Sequence, residues 1–207
     1  MSQIDVSLTN FILAIESLIF VSILIQTKSN QIKPPGVILF ISFGLAALLG
    51  GIHHGFGNHF SIEINSFIWW LTLLLVGISA YGFASIGIFL IFPKKAILFN
   101  KYLFFILVIY IACIILNRSF LTAILFYLPS VFFVSFGFYK IYQNTPNDQI
   151  KLGLYGLGLS LIASILQQLE VGVHPVYLTY NAVYHLILMI ALFMFFIGLK
   201  AVIKLNP

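Results

Sequence analysis

VILFISFGLAALLGGIHH, residues 37–54, carries no Lys, Arg, Asp or Glu over eighteen positions. An apolar run of about that length is what a helix needs to cross a bilayer. It lacks the sustained apolar–polar alternation of an outer-membrane barrel strand. Pro34-Pro35 stands just before it, where a helix can start without losing a hydrogen bond, because first-turn N–H groups have no partner within the helix. Its far end is rich in glycine (Gly50, Gly51, Gly55, Gly57) and holds two histidines, His53 and His54. A polar loop with His59 and Glu63 follows.

Working outward, six further segments read the same way. With the quoted stretch they place helices at about 7–26, 37–57, 66–92, 97–116, 119–142, 150–170 and 179–204. The expected fold is therefore all-α: an integral membrane seven-transmembrane-helix bundle in one domain, 1–207. Of 207 residues 61% are hydrophobic and 7% charged, against roughly a quarter charged in a soluble domain. Trp69-Trp70 sits near the start of the third segment, as an interfacial aromatic belt would have it. Pro93 stops that segment, and Pro129 predicts a kink in the fifth. The start, MSQIDVSLTNFILAIESLIF, has no basic region and carries Glu16 within its apolar run. It reads as a first spanning helix rather than a cleaved signal. Cys113 is the one cysteine, so no intrachain disulfide forms.

The formal charge of +5 points to topology, not to nucleic acid. Lys28, Lys33, Lys94, Lys95, Lys101, Lys140, Lys151, Lys200 and Lys204 all fall on one side of a seven-helix path, and only Arg118 falls on the other. The positive-inside rule then puts the N-terminus outside and the C-terminus in the cytoplasm.

The polar groups gather in the opposite, outer half. His54 lies about 6 Å inside the outer end of its helix and His185 about 9 Å inside the same face, at 1.5 Å per residue. Asn181 precedes His185 by four positions, which places both on one helical face. Glu170 and His174 fall at the outer end of the sixth helix and in the loop beyond it. A stripe of Gly153, Gly156, Ser160, Ala163, Gln167 and Glu170 is suited to close helix packing in lipid. It would carry Gln167 and Glu170 toward the histidines. A second stripe, Gly44, Ala47, Gly51, His54 and Asn58, turns His54 rather than His53 toward its neighbours. Zinc takes three protein ligands and a water. His54 and His185 are the first two candidates, with His174, Asn181, Glu170, Glu63 or His53 to complete the set. A carboxylate, Glu170 or Glu63, is the candidate acid/base. The plainer alternative is that the same histidines tie helices together, worth ~0.6–2 kcal/mol each, and that Glu16 is an interhelical hydrogen-bond partner.

Seven helices with the N-terminus out, a histidine late in the second and a polar pair four apart in the seventh resemble the CREST superfamily. That group includes alkaline ceramidases and progestin/adipoQ receptors. His54 of Gly50-Gly51-Ile52-His53-His54 matches the histidine of its second-helix signature, and Gly50 stands where that signature has serine. His185 of Asn181-Ala182-Val183-Tyr184-His185 matches the second histidine of the seventh-helix signature, and Asn181 stands for the first. The family's aspartate near the start of the third helix has no direct match; Glu63 and Asn65 are nearby. The resemblance implies a divergent relative in a bacterial-type plasma (inner) membrane, with zinc in the bundle. It also implies hydrolysis of a lipid amide or ester. The alternative expectation is a non-catalytic receptor-like bundle that binds a lipid or another small molecule. A transporter is disfavoured by the lack of an inverted repeat. A bis-histidine haem on His54 and His185 is a further alternative, and a retinal protein is disfavoured because the lysines of the last helix sit at its cytoplasmic end.

Overall fold

The computed structural model describes residues 3–28 and 30–205. Met1, Ser2, Asn206 and Pro207, at the ends of the expected 1–207 domain, and Ser29 in its first loop lie outside the described residues. Seven helices carry nearly all of the chain: α1 Ile4–Ile25, α2 Lys33–Phe56, α3 Ile62–Ile91, α4 Ala96–Leu116, α5 Phe120–Asn144, α6 Asp148–Gln168 and α7 Tyr180–Leu205. Among the described residues each is long and apolar enough to cross a membrane, the make-up of a multi-pass membrane protein.

The helix ends follow from local chemistry. Pro34 and Pro35 lie in the first turn of α2, which begins at Lys33. Ser61 accepts a hydrogen bond from the Ile64 N–H and so starts α3 at Ile62, four residues before the expected start. The polar Glu63 and Asn65 thus belong to the helix, and an acid in the first turn suits the helix dipole. Asn147 caps α6 through bonds from the N–H groups of Gln149 and Ile150. Pro129 lies inside α5.

Six helices close a ring in the order α1, α2, α3, α5, α6, α7, while α4 packs outside it against α3 and α5. The core fills the half of the ring where α2, α4 and α6 begin. Phe20 stacks on Phe196 at 4.3 Å, and Phe195 lies 5.1 Å from Phe83 and 5.4 Å from Phe138. Glycines set the spacing at two seams. A Cβ on Gly153 would lie 3.0 Å from the Cα of Gly198, so α6 meets α7 backbone to backbone. On α2, a Cβ at Gly51 would strike the ring of Phe11 in α1 at 2.7 Å. The other half of the ring, where α1, α3, α5 and α7 begin, is less completely filled.

Candidate functional site

In that half lies a cavity of about 280 Å³, lined by residues from every ring helix and none from α4. Its wall is mostly apolar: Leu13, Phe43, Ala46, Ala47, Val76, Ala123, Ile124, Leu128 and Leu188. Set into it are Asn10, His54, Thr72, Gln167, Asn181 and His185. None of the lining residues is Lys, Arg, Asp or Glu.

The first turns of α7 present Asn181, Tyr184, His185 and Leu188 to the cavity, the three- and four-residue spacing of one helical face. Two contacts from α1 hold that face. Thr179, just before α7, donates to Asp5 Oδ2 through its N–H at 2.9 Å and its hydroxyl at 2.6 Å. One turn along α1, Thr9 Oγ1 lies 3.1 Å from His185 Nδ1. From the other side, Gln168 Nε2 donates to Gln167 Oε1 at 2.7 Å, and Gln167 Nε2 donates to Asn181 Oδ1 at 3.2 Å. Asn10 Nδ2 donates to the Val6 carbonyl at 3.0 Å. The ring of His54 sits 5.2 Å from His53 and 6.3 Å from Trp69, edge-on to both. His53 does not line the cavity. Its Nδ1 bonds Asn65 Oδ1 at 2.8 Å, and its ring lies 4.9 Å from Trp69.

Three expected participants lie elsewhere. Glu63 is exposed in the first turn of α3. Glu170 is exposed as well, because α6 stops at Gln168 instead of running to 170. The Val171 N–H bonds the Leu166 carbonyl and the Glu170 N–H bonds the Gln167 carbonyl, a Schellman C-cap. Glu170 itself takes the left-handed conformation, φ 54°. His174 Nδ1 accepts from the N–H groups of Val176 and Tyr177, at 3.2 Å each, and its ring lies 5.0 Å from that of Tyr177. Glu170 and His174 share a separate depression on the loop after α6. The structure therefore brings together His54, Asn181 and His185, and leaves Glu63, Glu170 and His174 apart.

That donor set decides how a metal would fare. A zinc site needs three protein ligands, and the cavity offers two imidazoles and an amide. Among the described residues, no group of three or more His, Cys, Asp and Glu side chains lies together as a metal ion would need. The residues present do not fit a three-ligand zinc centre.

The model of DUF6962, a family of unknown function, matches residues 6–204. The chain belongs to DUF6962. No curated protein and no solved structure matches it. The stretch shared with the DUF6962 model takes in all the cavity-lining residues.

Several residues of this DUF6962 site carry no sequence signal that separates them from packing. Trp69 reads as a member of an interfacial belt, yet it lines the cavity beside His54. Tyr127 also lines it, with its ring edge-on to Phe83 at 5.6 Å and its buried hydroxyl without a hydrogen-bond partner among the described residues. Asp5 and Thr9 meet the start of α7 from more than 170 positions away in sequence. Glu16 Oε2 is buried with no partner among the described residues, so the interhelical bond expected of it is not made through that oxygen.

Proposed function

We propose that the protein binds a small, uncharged and largely apolar molecule in the cavity between α1, α2, α3, α5, α6 and α7. The observation that carries this reading is the cavity itself: about 280 Å³ of space with a mostly hydrocarbon wall, a few neutral hydrogen-bonding groups and no Lys, Arg, Asp or Glu in its lining. An engineered apolar cavity of about 150 Å³ holds benzene, so a bicyclic molecule fits here. A charged ligand would be stripped of water without meeting a counter-ion, a cost of several kcal/mol. The nine lysines at the opposite end of the bundle support an outside N-terminus and a cytoplasmic C-terminus. That orientation would put the cavity in the outer half of a bacterial-type plasma membrane, within reach of molecules dissolved in the outer leaflet. Protein in lipid nanodiscs, dialysed against empty nanodiscs of the same lipid, should retain one excess equivalent of tetralin. Ala47→Phe, which fills the void from α2, should abolish it. Wild-type protein with no excess over empty discs would refute the reading.

A second reading rests on His54 and His185 lining one cavity. They carry the likeness to the CREST superfamily, and with it a zinc-dependent hydrolase of a lipid amide or ester in a divergent relative. Asn181 already lines the cavity with them, and a stronger third ligand, His174, Glu63, Glu170 or His53, would need to leave its present place. Elemental analysis tests it. That reading expects one zinc per chain, lost in a His54→Ala plus His185→Ala variant, and wild-type protein without stoichiometric zinc ends it.

A further inference from the structure

Two of the polar groups that line the cavity, His185 and Asn181, have hydrogen bonds whose direction narrows the ligand. Thr9 has a single hydroxyl proton and three acceptors in reach: the Asp5 carbonyl at 2.9 Å, the Val6 carbonyl at 3.1 Å and His185 Nδ1 at 3.1 Å. The nearest is the Asp5 carbonyl, to which it donates within its own helix. This is the usual back-bond of a helical threonine. With that back-bond made, its oxygen accepts from His185 Nδ1, 3.1 Å away. That places the proton of a neutral His185 on Nδ1. A neutral imidazole has one N–H, so Nε2 is left as a bare acceptor on a residue that lines the cavity.

The amide side runs in the same sense. Gln168 donates to Gln167 and Gln167 donates to Asn181. Asn181 spends its carbonyl oxygen as acceptor, which leaves its NH₂ as a donor one helical turn from His185. One chain of donors thus ends at Asn181, and a second begins at His185 and passes through Thr9 to the α1 backbone. Both residues line the cavity, so it is bordered by an amide donor and an imidazole acceptor.

Building on the binding reading above, we propose that the ligand is a neutral alcohol. Its hydroxyl accepts from the Asn181 amide and donates to His185 Nε2, while its hydrocarbon body rests on Leu13, Ala47, Ala123 and Leu188. A hydroxyl is the smallest group that both accepts and donates through one atom, and it joins the two arms into a single chain whose bonds polarise one another. A ketone or ether satisfies Asn181 and leaves His185 Nε2 facing a second acceptor. A hydrocarbon satisfies neither.

Three probes of one size separate these cases in the nanodisc dialysis: 1-tetralol, 1-tetralone and tetralin. Wild-type protein should bind tetralol roughly tenfold more tightly than tetralone. His185→Asn keeps an N–H donor near the Nδ1 position for Thr9 and deletes the Nε2 acceptor. It should bring tetralol and tetralone to within about twofold of each other. Equal binding of tetralol and tetralone by wild-type protein overturns the alcohol assignment and leaves the binding reading standing. Failure of all three probes, tetralin included, removes the binding reading and this inference with it. A preference for tetralol that survives His185→Asn also overturns the assignment. The nitrogen-15 spectrum of wild-type protein gives an answer that needs no variant. His185 should show a protonated Nδ1 and a bare Nε2 whose signal moves with tetralol and not with tetralin. A proton found on Nε2 overturns the inference.

Discussion

Gly156→Ala tests the packing that aligns Asn181 with Gln167. A Cβ at Gly156 would lie 2.5 Å from the Ala191 carbonyl oxygen and 2.7 Å from the Phe195 nitrogen. Both are backbone atoms of α7, so no side chain can rotate away. Relief requires α6 and α7 to part until those contacts reach 3.4 Å or more. Overpacking of this kind costs about 1–3 kcal/mol. The better helix propensity of alanine returns about 1 kcal/mol, for a net loss of about 0–2 kcal/mol. Gly158 is the internal control. It lies two residues along the same helix, and a Cβ there meets nothing within 4 Å. Gly158→Ala keeps the propensity gain alone and should stabilise by about 0.5–1 kcal/mol. A titration of folded protein with denaturing detergent, followed by circular dichroism, should place the Gly156→Ala midpoint at or below that of wild type and the Gly158→Ala midpoint above it. Gly156→Ala should also weaken tetralol retention, because parting the seam stretches the Gln167–Asn181 bond. If Gly156→Ala is stabilised as much as Gly158→Ala, the close approach of α6 and α7 is wrong.

Glu170→Gly should raise stability by about 0.5–1 kcal/mol in the same titration, because glycine carries no penalty at φ 54° in a C-cap; a loss would mean that the exposed carboxylate does more than end a helix. Tyr110→Phe should cost about 1 kcal/mol, since it removes the 2.6 Å bond to the Leu73 carbonyl that ties α4 to α3. Tyr127→Phe should be neutral or slightly stabilising, since its buried hydroxyl has no partner among the described residues. An equal loss in the two tyrosine variants would show that the Tyr127 hydroxyl is in fact bonded.

The seven spans were legible because length and hydropathy are local properties, visible in any stretch such as 37–54. Helix ends were less so where a single cap decides. Ser61 draws Glu63 and Asn65 into α3, and a left-handed Glu170 cuts α6 short of the stripe that would have carried it inward. The facing of His54 was readable from Gly44, Ala47 and Gly51, because small residues mark where α2 meets its neighbours. Gly51 rests on Phe11 of α1, while Ala47 and His54 turn to the cavity. The partner of His185 was not readable. Thr9 lies 176 positions away, and nothing in its surroundings separates it from any other threonine in an apolar helix. Only the closing of the ring, α1 against α7, brings the two together.

The same closing explains why the cavity exists where it does. In the half of the ring where α2 begins, Phe20, Phe40, Phe83, Phe138, Phe195 and Phe196 fill the axis. At the other end α2 sets the small residues Ala46, Ala47 and Gly50 between Phe43 and His54, and α5 sets Ala123 beside Ile124 and Tyr127. The helices cannot collapse onto these small residues, because their spacing is already fixed elsewhere. Glycine contacts hold α6 to α7 and α1 to α2, and the bonds from Asp5 and Thr9 hold α7 to α1. Space between elements that cannot approach further stays open. Its polar members Asn10, Gln167 and His185 stay in place without a ligand because each is already bonded within the protein. An arrangement fixed before binding spares the ligand the cost of ordering it. A molecule of modest size can then be held by one hydroxyl and a hydrocarbon wall.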